Sequence, residues 1–423
     1  GLTKQGLGTL TLSGISSYTG NTTVNAGTLN VTGNIESSAL SLGAATLSGS
    51  GFVGPVTIDN SAAVISNGNA NTDTLNLDAL TFTTTGTANL NLSDGFNIPV
   101  YVTNSLNIGA GFTVNVTTAP TWTNGQTYDL IAYGSLTGST ANITTGNIAG
   151  LGARQTATIG NTGIAITLAI SGDTPVWSGA ENSNWTTNVI SGAKNWKLQT
   201  GGTPTDFLNN DQVLFDDSAT GTTDINLSSA NVQVASVVFN NSGVANSGLD
   251  YTVSSTGGFG IADGSGSAGL VKNGEGTVTL KTINSYTGIT TINAGTLKLG
   301  DGVTDGDIAS SSGIVNNGTL EFNRAGTFTF GNVISSYGNI VKNGPGTQIL
   351  TGDNTSSGPI TLNAGTLQVG NGGSTGSLGT SSVTNDASLV FNRSAAFTVG
   401  GAISGTGSVS QTGTGAVTLS GFN

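Results

Sequence analysis

Short runs of alternating apolar and polar residues recur along the chain, each bounded by Gly, Asn or Ser. "GTLTLSG" (Gly8–Gly14), "GTVTLKT" (Gly276–Thr282) and "GIAITLAI" (Gly163–Ile170) are examples. A period of two puts successive side chains on opposite faces of a strand, so each run predicts a short β-strand with one buried face. No stretch has the spacing of an amphipathic helix, and the chain is expected to be all-β.

These runs belong to a longer repeat. Gly1–Val31 slides onto Gly269–Leu299 without a gap, with about 20 of 31 positions identical, far beyond chance. A looser copy begins at Val341 ("VKNGPGTQILTGDNTSSGPITLNAGTLQV"), and another, "SVSQTGTGAVTLSGFN", runs to Asn423. Lys272, Lys342 and Gln411 head equivalent strands, so the unit is roughly 70 residues. The match continues between headers, where Leu320–Ser335 parallels Leu389–Ser404. A third of that unit, about 23 residues, suits one coil of a parallel β-helix. At ~4.8 Å per coil, roughly 18 coils would make a rod on the order of 90 Å long. Inward Val, Leu and Ile would fill it, each stabilising by about 1.5–3 kcal/mol. Gly and Asn would take corners that need positive φ, as at Ala26-Gly27 and Ala294-Gly295.

The string KxGxGTxTLxxxxSYTGxTTxNAGTL, met at Lys4–Leu29 and Lys272–Leu297, resembles the autotransporter-associated β-strand repeat of bacterial surface proteins. Lys342–Leu367 follows it more loosely, with Ser356 in place of the Tyr. The "FNR" segments and "YDLIAYGSLTGS" (Tyr128–Ser139) are similar to connecting stretches of such passengers. The resemblance implies a right-handed parallel β-helix, exported and displayed outside the cell as a passenger domain. It implies no catalytic residues, because the motif is a fold signature. The expected organisation is a solenoid segment over residues 1–173 beginning inside a repeat, a Trp/Asp-rich insert or irregular coil over 174–221, and a second solenoid segment over 222–423 ending inside a repeat.

Composition narrows the chemistry. The chain of 423 residues has 10 Lys and Arg against 22 Asp and Glu, a net charge of −12, so no basic stripe is available to neutralise nucleic-acid phosphates. No apolar run approaches the ~18 residues of a membrane span. No signal peptide opens the chain, which reads as a length of a longer protein. Without His or Cys, the commonest general base and the thiol nucleophile are missing. Paired carboxylates remain, and Asp206, Asp211, Asp216 and Asp217 are the candidates for a polysaccharide-degrading β-helix enzyme. The bland reading of "LFDDS" is a solvated turn after a strand, and no catalytic residue is assigned.

Two segments carry candidate contacts. Thr174–Gly221 holds Trp177, Trp185 and Trp196, which would pack over an irregular coil or, if exposed, stack on a glycan or protein partner. "GDGVTDGD" offers Asp301, Asp305 and Asp307 as calcium ligands, yet the next unit reads "GNGGSTGS", so the fold does not require a metal there. No cofactor is otherwise implied. The expected function is a non-enzymatic, extracellular structural or adhesive rod on a bacterial surface. The alternatives are a carbohydrate-binding adhesin acting through the Trp-rich insert and a polysaccharide-degrading enzyme. Uncovered terminal coils expose strand edges, so end-to-end self-association or continuation of the chain is expected, with glycans or cell-surface proteins as further partners.

Overall fold

The computed structural model describes residues 1–68, 73–92, 97–120, 122–243 and 248–422. Its short strands stack in parallel into β-solenoids, and the only helical turn among these residues is a 3-10 turn at Thr140–Asn142. None of the described helices is long and apolar enough to cross a membrane. Two units result, one of Gly1–Leu151 with Gln155–Gly172 and one of Gly152–Arg154 with Asp173–Asn423.

In the first unit, Thr9–Leu12, Thr28–Val31, Thr46–Gly49, Val64–Ser66, Thr87–Asn91 and Phe112–Thr118 lie side by side on one face. Register converts the alternating sequence into a wall. Leu10, Leu29, Leu47, Ile65, Ala88 and Val114 are successive partners, and all but Leu10 are fully buried. A slip by one residue would turn this apolar column to solvent, so patterning fixes the register. Ile143–Ile148 adds to this face in parallel, while on the other sheet parallel stacking ends at Thr127–Thr137, which pairs antiparallel with Ala165–Gly172, itself antiparallel to Gln155–Asn161.

The second unit opens with antiparallel pairing too. Pro175–Trp177 pairs with Trp196–Leu198, which pairs with Pro204–Thr205. Pro175–Trp177 also meets Asp211–Asp216 in parallel through Val176 and Leu214, and from there the strands follow one another in parallel. The segment 174–221 thus combines antiparallel pairing with a parallel strand, Asp211–Asp216, that begins the stack. Its rings join a core that continues to Val399.

The repeat does not close on a whole number of coils. Leu270 partners Thr290, Thr290 partners Ile314, and Ile314 partners Ile334, which makes three coils of 20, 24 and 20 residues. The next copy of Leu270 is Ile340, one strand further along. Ile340 lies not on that sheet but on the neighbouring one, between Leu320 and Ile360. Three coils thus fall short of one unit by a single face. Each module advances the second unit by three coils and a third, so the same letters reappear about a third of a turn round the axis.

Candidate functional site

The repeated letters resolve into three stacking devices. The first is a buried ammonium group. Lys4 Nζ donates to the carbonyls of Gln5, Gly6 and Ala26 at 2.6–3.3 Å, and Lys342 Nζ to those of Asn343, Gly344 and Ala364 at 2.6–3.2 Å. Lys272 does the same with Gly274 and Ala294. The lysine ties the corner of its own coil to the corner of the next, and its charge suits carbonyls that the turns leave without amide partners. Gln411 fills this role with an amide, donating to Gly413 and Gly415. Burial pulls the Lys272 and Lys342 ammonium groups down to about 8.

The second device is a chain of hydroxyls inside the core. Tyr18 bonds Thr22 at 2.8 Å, and Thr22 bonds Ser38 at 2.7 Å. Tyr286, Thr290 and Ser311 repeat it at 2.8 and 3.1 Å. Where the third copy carries Ser356, the threonine is replaced by Ile360, and Ser356 turns to Ser381 and the Leu378 carbonyl at 3.4 Å. Polar partners leave together, as buried hydroxyls require. The third device is the glycine of "NAGT". Gly295 and Gly365 have φ of 66° and 71°, and a Cβ on either would lie 2.4 Å from a carbonyl oxygen of the preceding coil.

The three indoles do not face solvent. Trp177 and Trp185 are 0 % exposed and Trp196 is 2 % exposed. Trp177 and Trp196 meet edge to face at 5.1 Å, Trp185 and Phe207 at 5.5 Å, and Phe215 stacks on Phe239 at 4.7 Å. The ring faces that a glycan would need are occupied by other rings. Of the two readings of Trp177, Trp185 and Trp196, packing and stacking on a partner, the rings have the surroundings of the first: they are core.

The carboxylates are likewise engaged singly. Asp211 is buried, pairs with Arg154 at 3.1 Å and accepts from the Leu208 amide at 2.8 Å. Burial raises its pKa despite those partners. Asp206 pairs with Lys194 at 2.7 Å; burial opposes ionisation there, but the Lys194 bond and the Ile190 amide hold the carboxyl below its usual range. Asp217 is also held low against burial, by Ser242 and by the Leu249 amide. Asp216 accepts from Ser218. Asp301, Asp305 and Asp307 are not brought together either. Asp301 pairs with Lys281 at 2.7 Å, and that bond holds its carboxyl down at about 2. Asp305 accepts from the Ala325 amide, and Asp307 bonds Arg324 at 2.8 Å. Among the described residues, no group of three or more acids is placed to hold a metal ion.

The surface feature with a different character is a groove of about 440 Å³ in the second unit. It runs along one corner over four successive coils, from Glu275 past Asn293–Thr296 and Asn317–Thr319 to Tyr337–Asn339. Its floor exists because Gly295, Gly318 and Gly338 lie against backbone of the coil before, where a Cβ would come within 2.4–2.7 Å of a carbonyl oxygen. Tyr337 at its end is 67 % exposed. Sequence reasoning missed this residue. The available signal was that Tyr337 stands where the next module has Thr406, a large aromatic outside the repeated lettering.

Residues 2–31, 270–299 and 340–369 each match the passenger-associated-transport-repeat family. A segment of 55 residues, 13 % of the chain, is 53 % identical to the adhesin BmaC autotransporter of Brucella suis biovar 1 (strain 1330). That segment covers 2 % of the adhesin, so the likeness is to a small part of a far longer protein. No solved structure matches the chain. The matched residues include the lysine clasp and the glycine corner and, in the first two copies, the Tyr–Thr pair that begins the hydroxyl chain, and the chain carries three passenger-type repeats.

Proposed function

We propose that this chain is part of a bacterial cell-surface adhesin, a non-enzymatic β-solenoid that holds contact surfaces away from the cell. The observation that carries this reading is the use of the repeated Lys, the corner Gly and, in two copies, the Tyr–Thr pair in stacking one coil on the next. Lysine clasp, hydroxyl chain and glycine corner each join one coil to the next, so repetition lengthens and stiffens the solenoid. The passenger-type repeats and the adhesin likeness support display outside the cell, and the single engagement of each carboxylate supports a role without turnover. Broad Thr/Asn/Ser outer faces with few charges suit contact with cell-surface partners.

The test is to fuse the chain to a bacterial outer-membrane translocator. Protease accessibility would be measured on intact cells, with adherence to epithelial monolayers compared with translocator alone. The reading expects surface exposure and increased adherence. Exposed protein with no gain in adherence would overturn it. Turnover on a polysaccharide panel, abolished in Asp216→Asn, would replace it with the enzyme reading.

A further inference from the structure

We propose that the groove ending at Tyr337 binds a neutral oligosaccharide, with the Tyr337 ring as its stacking platform; this names a ligand for the adhesive reading and rests on it. The fold gives no reason for an aromatic ring here. Tyr337 is largely exposed, and the equivalent place in the next module is filled by Thr406 with the same strand pairing around it.

The backbone beside it is strained. Ser336 has φ of 79°, in the left-handed region that disfavours a Cβ, whereas its counterpart Gly405 adopts 103° without that cost. What Ser336 gains is a hydroxyl that bonds Asn317 Oδ1. The bond fixes the Asn317 amide in the wall of the groove and leaves its Nδ2 without a protein partner among the described residues. The Tyr337 hydroxyl, the Asn339 side-chain amide and the Glu275 carboxylate also have no hydrogen-bond partner among the described residues. Asn293 donates Nδ2 to Asn273 at 2.8 Å, which leaves its carbonyl to accept.

A groove with unpaired donors and acceptors on its walls and one flat apolar ring matches a ligand with hydroxyls at its edges and C–H groups on its faces. That is a pyranose. Four coils give about 14 Å of length at the usual strand spacing, enough for a short oligosaccharide. The charge selects among sugars. Glu275 lies in the groove, Lys272 is buried with its ammonium turned to backbone carbonyls, and the chain carries −12 overall. Sialylated or sulfated glycans would meet like charge.

The next module shows what the groove needs. There Pro345 stands for Glu275, Asp386 for Asn317, Ala387 for Gly318 and Gly405 for Ser336. Ser408 stands for Asn339 as well, so the floor gains a methyl group and the walls lose two amides, the Glu275 carboxylate and the Ser336 hydroxyl.

The test uses the full 423-residue chain on a printed array of neutral, sialylated and sulfated glycans, followed by calorimetric titration with the best neutral oligosaccharide. The expected result is neutral binders only. Tyr337→Ala should weaken binding about tenfold or more, Tyr337→Trp should retain it, and Thr406→Ala should leave it unchanged. Because Tyr337 is exposed, Tyr337→Ala should melt with the parent chain, which separates lost contact from lost fold. A blank neutral panel, binding confined to acidic glycans, binding of peptides instead, or undiminished binding by Tyr337→Ala would each overturn the proposal. Adherence of displayed chain with a blank array would remove this site and leave the adhesive reading standing. Tyr337-dependent glycan binding without adherence would do the reverse.

Discussion

The module that starts at Gly269 and the one that starts at Asn339 follow the same path with different polar partners. In the first, Arg324 is buried, bonds Asp307 at 2.8 Å and lies 4.5 Å from the centre of the Phe328 ring. In the second, Ser377 replaces the acid, and Arg393 bonds the carbonyls of Gly376 and Ser374 while lying 4.5 Å from Phe397. The outer amide pair is kept in both, Asn273 with Asn293 at 2.8 Å and Asn343 with Asn363 at 2.9 Å. Acids, ion pairs and the Tyr–Thr bond are exchanged between the two modules while the path of the strands is kept. Lysine at the strand head and glycine at the corner are not exchanged between these two modules. The difference separates what the stack requires from what one module adds.

The largest effect is expected where the requirement is steric. Gly365→Val places a β-branched side chain at φ 71° and against the carbonyls of Gly344 and Gly346, and should cost more than about 3 kcal/mol. Gly372→Val has a similar φ but open space around its Cβ, and should cost about 1–2 kcal/mol. Denaturant unfolding of the two variants measures the difference; equal losses would show that strain alone, and not the approach of the coils, sets the corner.

Next comes the clasp. Lys342→Met strands three part-buried carbonyls and should cost about 2–3 kcal/mol, whereas Lys342→Gln copies Gln411 and should cost about half as much. Equal effects of the two substitutions would mean that the side-chain stem, and not its donor, matters.

The hydroxyl chain should be weaker and coupled. Tyr286→Phe should cost about 1–2 kcal/mol in the parent, and close to nothing when Thr290→Val has already removed the partner, because Ser311 keeps its bonds to Gly288 and Gly313. Additive losses in that double-mutant cycle would contradict the paired exchange seen at Ser356 and Ile360.

The last effect is a pH dependence. Lys272 and Lys342 lose their protons near 8 in the folded chain and only near about 10.4 when unfolded. Between those values the unfolded state holds more protons, so stability should rise from pH 8 to about 10. Above that, the buried phenols of Tyr251 and Tyr286, pushed up by burial, make the unfolded chain ionise first, and stability should fall. Melting temperature against pH, in the parent and in Lys272→Gln/Lys342→Gln, checks the sign. A flat parent profile would remove the cost assigned to the buried charges.

Much of the fold was legible because a strand of period two writes its buried face directly into the sequence, as at Leu29, Leu47 and Ile65. The unit of roughly 70 residues was legible too, but the coil length taken from it assumed whole coils. Register, which no single strand encodes, shows the extra third. Trp177, Trp185 and Trp196 were correctly marked as unusual, while their burial depended on partners such as Phe207 and Phe215 that only folding brings together. Tyr337 was hidden for the opposite reason. The strand after it follows the common pattern, and the groove beside it is floored by Gly295 and Gly318 on two other coils and by Gly338 on its own.

The one-third turn is the central claim, and a chain without native cysteine allows a direct test. Glu321 and Val341 are register partners on adjacent strands of one sheet, and both are partly exposed. Val315, on the sheet where Val341 would lie if modules stacked in phase, pairs with Ser335 instead. Oxidation of Glu321→Cys/Val341→Cys should form a disulfide in the folded chain, read by mass spectrometry after proteolysis, and Val315→Cys/Val341→Cys should remain free thiols. The reverse outcome, a bridge from 315 to 341 and none from 321, would contradict the one-third turn.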